Sequence, residues 1–100
     1  MSTTRSKPEL VRLAWLVELR QQGQRQHWTW NYSGGDRVCA LQLLWELLGK
    51  PGRRLAPDFP AIGARAGLST AQTWEVISLN DRRRRSFSEI ADAVAAWFEA

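Results

Sequence analysis

The stretch that most limits what this chain can become is VCALQLLWELL, Val38 to Leu48, in which only Gln42 and Glu46 are polar. Apolar residues at nearly every helical angle cannot all lie on a surface, so the segment predicts a helix buried on most sides at the centre of the fold. Asp36 is a good N-cap in front of it, Gly49 a C-terminal stop, and Pro51 a barrier to continuation. Gln42 and Glu46 lie one turn apart and leave a single narrow polar line.

A central helix needs neighbours. Ser6 and Glu9 have capping-box spacing, Pro8 suits a first turn, and Leu10, Leu13, Ala14 and Val17 recur at i, i+3, i+4 and i+7. A first helix is therefore expected from about Lys7 to Gln22, stopped by Gly23. Val11, Trp15, Leu16 and Leu19 widen its apolar face, which predicts more than one packing partner. Asp58 and Pro60 open a short helix, FPAIGARA, that Gly67 ends. Ser69 and Gln72 cap the next, TAQTWEVIS, after which LNDRRRR breaks the chain again. Ser86 and Glu89 then start an amphipathic helix through Phe87, Ile90, Ala91, Val94, Trp97 and Phe98.

Between the first two helices Trp28, Trp30 and Tyr32 alternate with Thr29 and Asn31, the period of an extended segment, ahead of the turn signal Ser33-Gly34-Gly35. The expected fold is all-α: a single domain over residues 1–100, with 1–6 flexible. It is a compact bundle of about five helices, with a short extended aromatic arm between helices 1 and 2. The first helix, the last helix and the arm should wrap the second.

With 44% hydrophobic residues, the 100-residue chain can build one core without disulfide or metal staples. A lone Cys39 cannot close an intramolecular disulfide, and with His27 as the only histidine there are too few soft ligands for a four-ligand zinc site. No metal and no cofactor is expected. No apolar run approaches the roughly 18 residues of a membrane span, and the N-terminus lacks a signal peptide's continuous apolar region. The expected location is the cytoplasm of a bacterial cell. Net charge is +4, from 14 Lys and Arg against 10 Asp and Glu, and all but two of the bases are arginine. Arginine binds carboxylates and phosphates bidentately, so an acidic protein surface is the expected partner and nucleic acid the alternative.

Three constellations carry chemistry. Cys39, near a helix start, with His27 as base and Asn80 or Asp81 as the orienting group, would make a cysteine-nucleophile hydrolase. The bland reading is stronger: a thiol inside an apolar helix is usually an inert small hydrophobe, and Asn and Asp commonly satisfy backbone amides. No enzyme is therefore expected. Second, AIGARAGLSTAQTWEVI places Ile62, Ala66, Gly67, Leu68 and Val76 close to where a helix-turn-helix wants apolar residues and its turn glycine. Thr73 falls where an apolar residue is expected. Gln72 and Thr73 would face DNA, with Arg82 and Arg83 gripping phosphates. Third, Trp30 beside Arg53, Arg54, Arg82, Arg83, Arg84 and Arg85 has the composition of a protein-interface hot spot. Trp28 is expected to seal the second helix as a lid, and Trp15, Trp45 and Trp97 fall on apolar helical faces.

HWT at 27–29, the CAL of Cys39, Ala40 and Leu41, and the late Asn80-Asp81 followed by the Ser86-capped helix together resemble a family of small domains of unknown function found in phages and actinobacteria. The resemblance spans about His27 to Val94. It departs at Gln42 and Leu43, where the family has glycine and alanine, and at Arg82 to Arg85, where it has a shorter turn containing glycine. It implies no established activity. With the small size, it implies a non-enzymatic protein-binding module: an accessory protein of a phage or mobile element that inhibits a host defence complex, in the manner of an anti-CRISPR.

Overall fold

The computed structural model describes residues 6–22, 39–49 and 58–99. They form five helices: α1 (Lys7–Gln21), α2 (Ala40–Leu47), α3 (Phe59–Arg65), α4 (Thr70–Asp81) and α5 (Phe87–Trp97). The fold is all-α, with no strand among the described residues. The aromatic arm with Trp28 and Trp30, together with His27, Asp36, Arg53 and Arg54, lies outside them.

Side-chain caps explain where most of the helices begin. Ser6 Oγ accepts the Glu9 N–H, and Asp58 Oδ1 accepts that of Ala61. Ser69 with Gln72 and Ser86 with Glu89 form complete reciprocal boxes. Each cap satisfies a donor that the first helical turn would otherwise leave open, for about 1 kcal/mol.

Two boundaries differ from expectation. α2 starts at Ala40, and its N-cap is Cys39 rather than Asp36. Cys39 holds an extended backbone while its Sγ accepts the Gln42 N–H at 3.1 Å. The peptide groups of Ala40 are claimed from elsewhere: its N–H donates to Asn80 Oδ1 at 3.0 Å, and its carbonyl accepts the Trp15 indole N–H at 2.9 Å. These distant partners fix where the helix starts. α4, in turn, runs on through Leu79, Asn80 and Asp81 instead of breaking there. Thr73, Val76, Leu79 and Asn80 are all buried along it, so packing continues the helix for another turn.

Ala40 to Leu44 are buried without exception, which makes α2 the central helix. Gln42 belongs to that set, at 2% exposure, so the expected polar line is only partly a surface. α1, α3 and α4 pack around α2, whereas α5 lies mainly on α1 and α4. α1 buries Trp15, Leu16 and Leu19, and its Leu10, Leu13, Ala14 and Val17 stripe faces outward. The expectation that this stripe packs together with the Trp15 side is not met: only the Trp15 side is buried. Burial of the large Trp15 side chain and its bond to Ala40 decide the orientation.

α3, the turn Ala66 to Ser69 and α4 form a helix-turn-helix unit. Gly67 turns the chain at φ +79°, a left-handed conformation that costs glycine little. Ile62, Ala66, Leu68 and Val76 are buried at their expected positions. Thr73 is fully buried too, with its hydroxyl donating to the Ser69 carbonyl at 2.9 Å. A Cβ on Gly63 would collide with the Thr73 hydroxyl and lie 2.9 Å from its carbons, so the two helices cross there at glycine distance. Arg12 braces the turn from α1: Nη1 donates to the Ala66 carbonyl at 3.2 Å, and the guanidinium carbon lies 3.6 Å from the centre of the Phe98 ring.

Candidate functional site

The structure brings Cys39, Asn80 and Asp81 together and gives each structural work. Cys39 Sγ is an N-cap acceptor, Asn80 holds the Ala40 N–H, and Asn80 Nδ2 donates to Asp81 Oδ1 at 2.8 Å. Burial pushes the Cys39 thiol up to about 12, the Asp81 carboxylate adds to the rise, and the Gln42 N–H opposes it only in part. A thiol kept protonated so far above neutrality is a poor nucleophile. Among the described residues, no group of three or more His, Cys, Asp or Glu is clustered to hold a metal ion.

The residues expected to read DNA are not placed for it. Thr73 is buried against Gly63, and Gln72 Oε1 is committed to the Ser69 N–H at 2.9 Å. Thr73 belongs to the inside of the motif because the helix crossing claims it, and the half-buried Gln72 is taken by the capping box. The outward surface of α4 instead carries Thr70, Ala71, Trp74 and, toward its C-terminus, Ser78 and Asp81.

Trp74 is the feature sequence reasoning missed. It is 49% exposed and stands edge-on to Phe59, with ring centres 5.8 Å apart at 89°. That contact braces the indole against the first turn of α3. Beside it, Trp74, Ile77, Ser78, Asp81 and Arg82 line an open cleft of about 360 Å³. The signal was present: these positions lie opposite the Thr73, Val76, Leu79 and Asn80 row. With Thr73 inside, helical geometry turns the adjacent Trp74 outward.

The four arginines after α4 are all exposed, but they are not equivalent. Arg83 reaches Glu75 and Arg85 reaches Glu89, each at 3.6 Å between half-exposed side chains. Such pairs contribute little to stability. Arg82 and Arg84 carry no salt bridge among the described residues. Arg84 holds φ at +50°, which lets the Arg85 N–H return to the Leu79 carbonyl at 2.9 Å. A side chain in this left-handed conformation costs roughly 1 kcal/mol or more. At the start of α5, the Ser86 backbone N–H holds the exposed Glu89 carboxyl below its ordinary range, with the Ser86 hydroxyl and Arg85 adding to the effect.

The described site is thus a half-exposed indole braced by Phe59 at an open cleft that Ile77, Ser78, Asp81 and Arg82 also line. Trp30, Arg53 and Arg54 cannot be placed against it because they lie outside the described residues. No helix among the described residues is long and apolar enough to cross a membrane. Compared with protein-family models, curated proteins and solved structures, the chain has no match.

Proposed function

We propose that this protein is a small non-enzymatic binding module that docks on an acidic protein surface through the outward face of α4 and the arginine turn behind it. The observation that carries this reading is Trp74, half exposed and braced by Phe59, at the edge of a cleft that Arg82 also lines. Interface hot spots are enriched in Trp and Arg, and a pre-ordered side chain loses less entropy on binding. The left-handed backbone at Arg84 adds to it, since local strain tends to persist where function needs it. The narrower form of the proposal, an accessory protein of a phage or mobile element that inhibits a host defence complex in the bacterial cytoplasm, rests on the family resemblance and on size.

A pull-down from bacterial lysate tests the reading, with Trp74→Ala and Arg82→Ala/Arg84→Ala variants beside the wild type. A stoichiometric protein complex retained by the wild type and lost in both variants is the expected result. Equal capture by all three would remove α4 from the interface. The narrower form requires in addition that the captured protein be a nucleic-acid-guided effector and that the wild type suppress its cleavage.

A second reading, duplex-DNA binding, is favoured by one observation: the Gly63–Thr73 crossing and the Gly67 turn build the helix-turn-helix as a unit. Against it, α4 presents Glu75 and Asp81 where phosphates would lie, and its N-terminal half has no base to read guanine. Duplex affinity that falls steeply with salt would revive DNA binding.

A further inference from the structure

We infer that the outward stripe of α1 is a self-association surface on which a second copy of this chain docks antiparallel. Leu10, Leu13, Ala14 and Val17 form an unbroken i, i+3, i+4, i+7 row, and all four are exposed, with Leu10 at 54% and Val17 at 53%. The helix cannot roll to hide them, because Trp15 on the far side is fully buried and bonded to Ala40. In an antiparallel pairing Leu10 meets Val17 of the second copy and Leu13 meets Ala14, so the row is its own complement.

Charge supports the same orientation. Lys7 and Glu18 flank the row along one edge, one turn or more to either side of Ala14, with the base toward the N-terminus and the acid toward the C-terminus. Two antiparallel helices meet same edge to same edge, so each Lys7 faces Glu18 of the second copy, and two-fold symmetry makes the pair twice. Lys7 has no salt bridge among the described residues, and Glu18 is steadied by a 3.0 Å hydrogen bond from Gln22. On the other edge Arg20 is already bridged to Asp92 at 3.0 Å. Opposed helix dipoles favour the antiparallel arrangement as well. Four side chains cover far less than the roughly 800 Å² per partner of a standard interface, so the dimer is reversible and concentration-dependent.

Sedimentation equilibrium of the full chain, from micromolar to near-millimolar concentration, tests this without any other partner. A monomer–dimer equilibrium is expected, and Leu13→Glu should raise its dissociation constant at least about tenfold. Lys7→Glu should weaken it as well, and the double variant Lys7→Glu/Glu18→Lys should restore it. All three positions are at least partly exposed, and far-UV circular dichroism checks that each variant folds. A monomer at the highest concentration overturns the inference. So does a dimer indifferent to Leu13→Glu, and failure of the double exchange to restore pairing overturns the antiparallel register.

Discussion

Asn80 holds the backbone N–H of Ala40 at 3.0 Å, with α4 supplying from its last turn a cap that α2 does not supply for itself. Asn80 is 1% exposed, so losing that acceptor leaves a buried donor without its partner. Asn80→Leu should cost about 2–3 kcal/mol in urea unfolding. Asn80→Asp keeps the acceptor but sets a second carboxylate against Asp81. Its loss should be larger at neutral pH and should shrink, relative to wild type, as pH falls toward about 4. Equal losses at both pH values would mean that the contact with Asp81 is not felt.

Cys39 should resist iodoacetamide in the folded protein at pH 8 and react once urea unfolds it. The unfolded thiol ionises near 9.0, while the folded one keeps its proton to about 12. Between those values the folded state binds more protons, so this group's contribution to stability is present below pH 9 and declines as pH rises, by up to about 1.4 kcal/mol per unit. Cys39→Ser should retain the cap and lose that extra alkaline slope. Cys39→Ala should lose about 1 kcal/mol below pH 9, because Gln42 loses its acceptor, and should lack the alkaline slope as well.

Gly63→Ala should destabilise by about 1–3 kcal/mol through overpacking against Thr73. Thr73→Ala removes the hydroxyl and methyl that the new carbon would strike. The double variant should therefore be less destabilised than the two single losses added together. Strict additivity would mean that α3 and α4 separate at the crossing rather than clash.

Arg84→Gly should raise stability by about 1 kcal/mol, since glycine occupies a φ of +50° without side-chain strain. Partner capture should fall in the same variant. A more stable protein with undiminished binding would show that the arginine is not held there for recognition.

The capping residues were legible because a cap is local: Ser6, Asp58, Ser69 and Ser86 each act within three residues. The apolar density of Val38 to Leu48 likewise marked the central helix. The start of α2 was not legible, because Asp36 and Cys39 both can cap and the choice is made by Asn80, forty positions away. The rotation of α1 was not legible either, since apolar residues cover most of its circumference. Thr73 was misjudged for a related reason: whether a hydroxyl can go inside depends on the Ser69 carbonyl above it and on Gly63 making room. With Thr73 inside, the indole of Trp74 turns outward.

The bonds that Trp15 and Asn80 make to Ala40 come from residues before and after it in the chain. Neither the stretch ending after α2 nor the stretch beginning at α3 contains a complete seat for that peptide. Fragments cut between them should each be poorly ordered, and mixing them should recover order in both at once. The Trp15 indole is dry only when all three helices have met, and recovery of the helical circular-dichroism signal on mixing would report that moment.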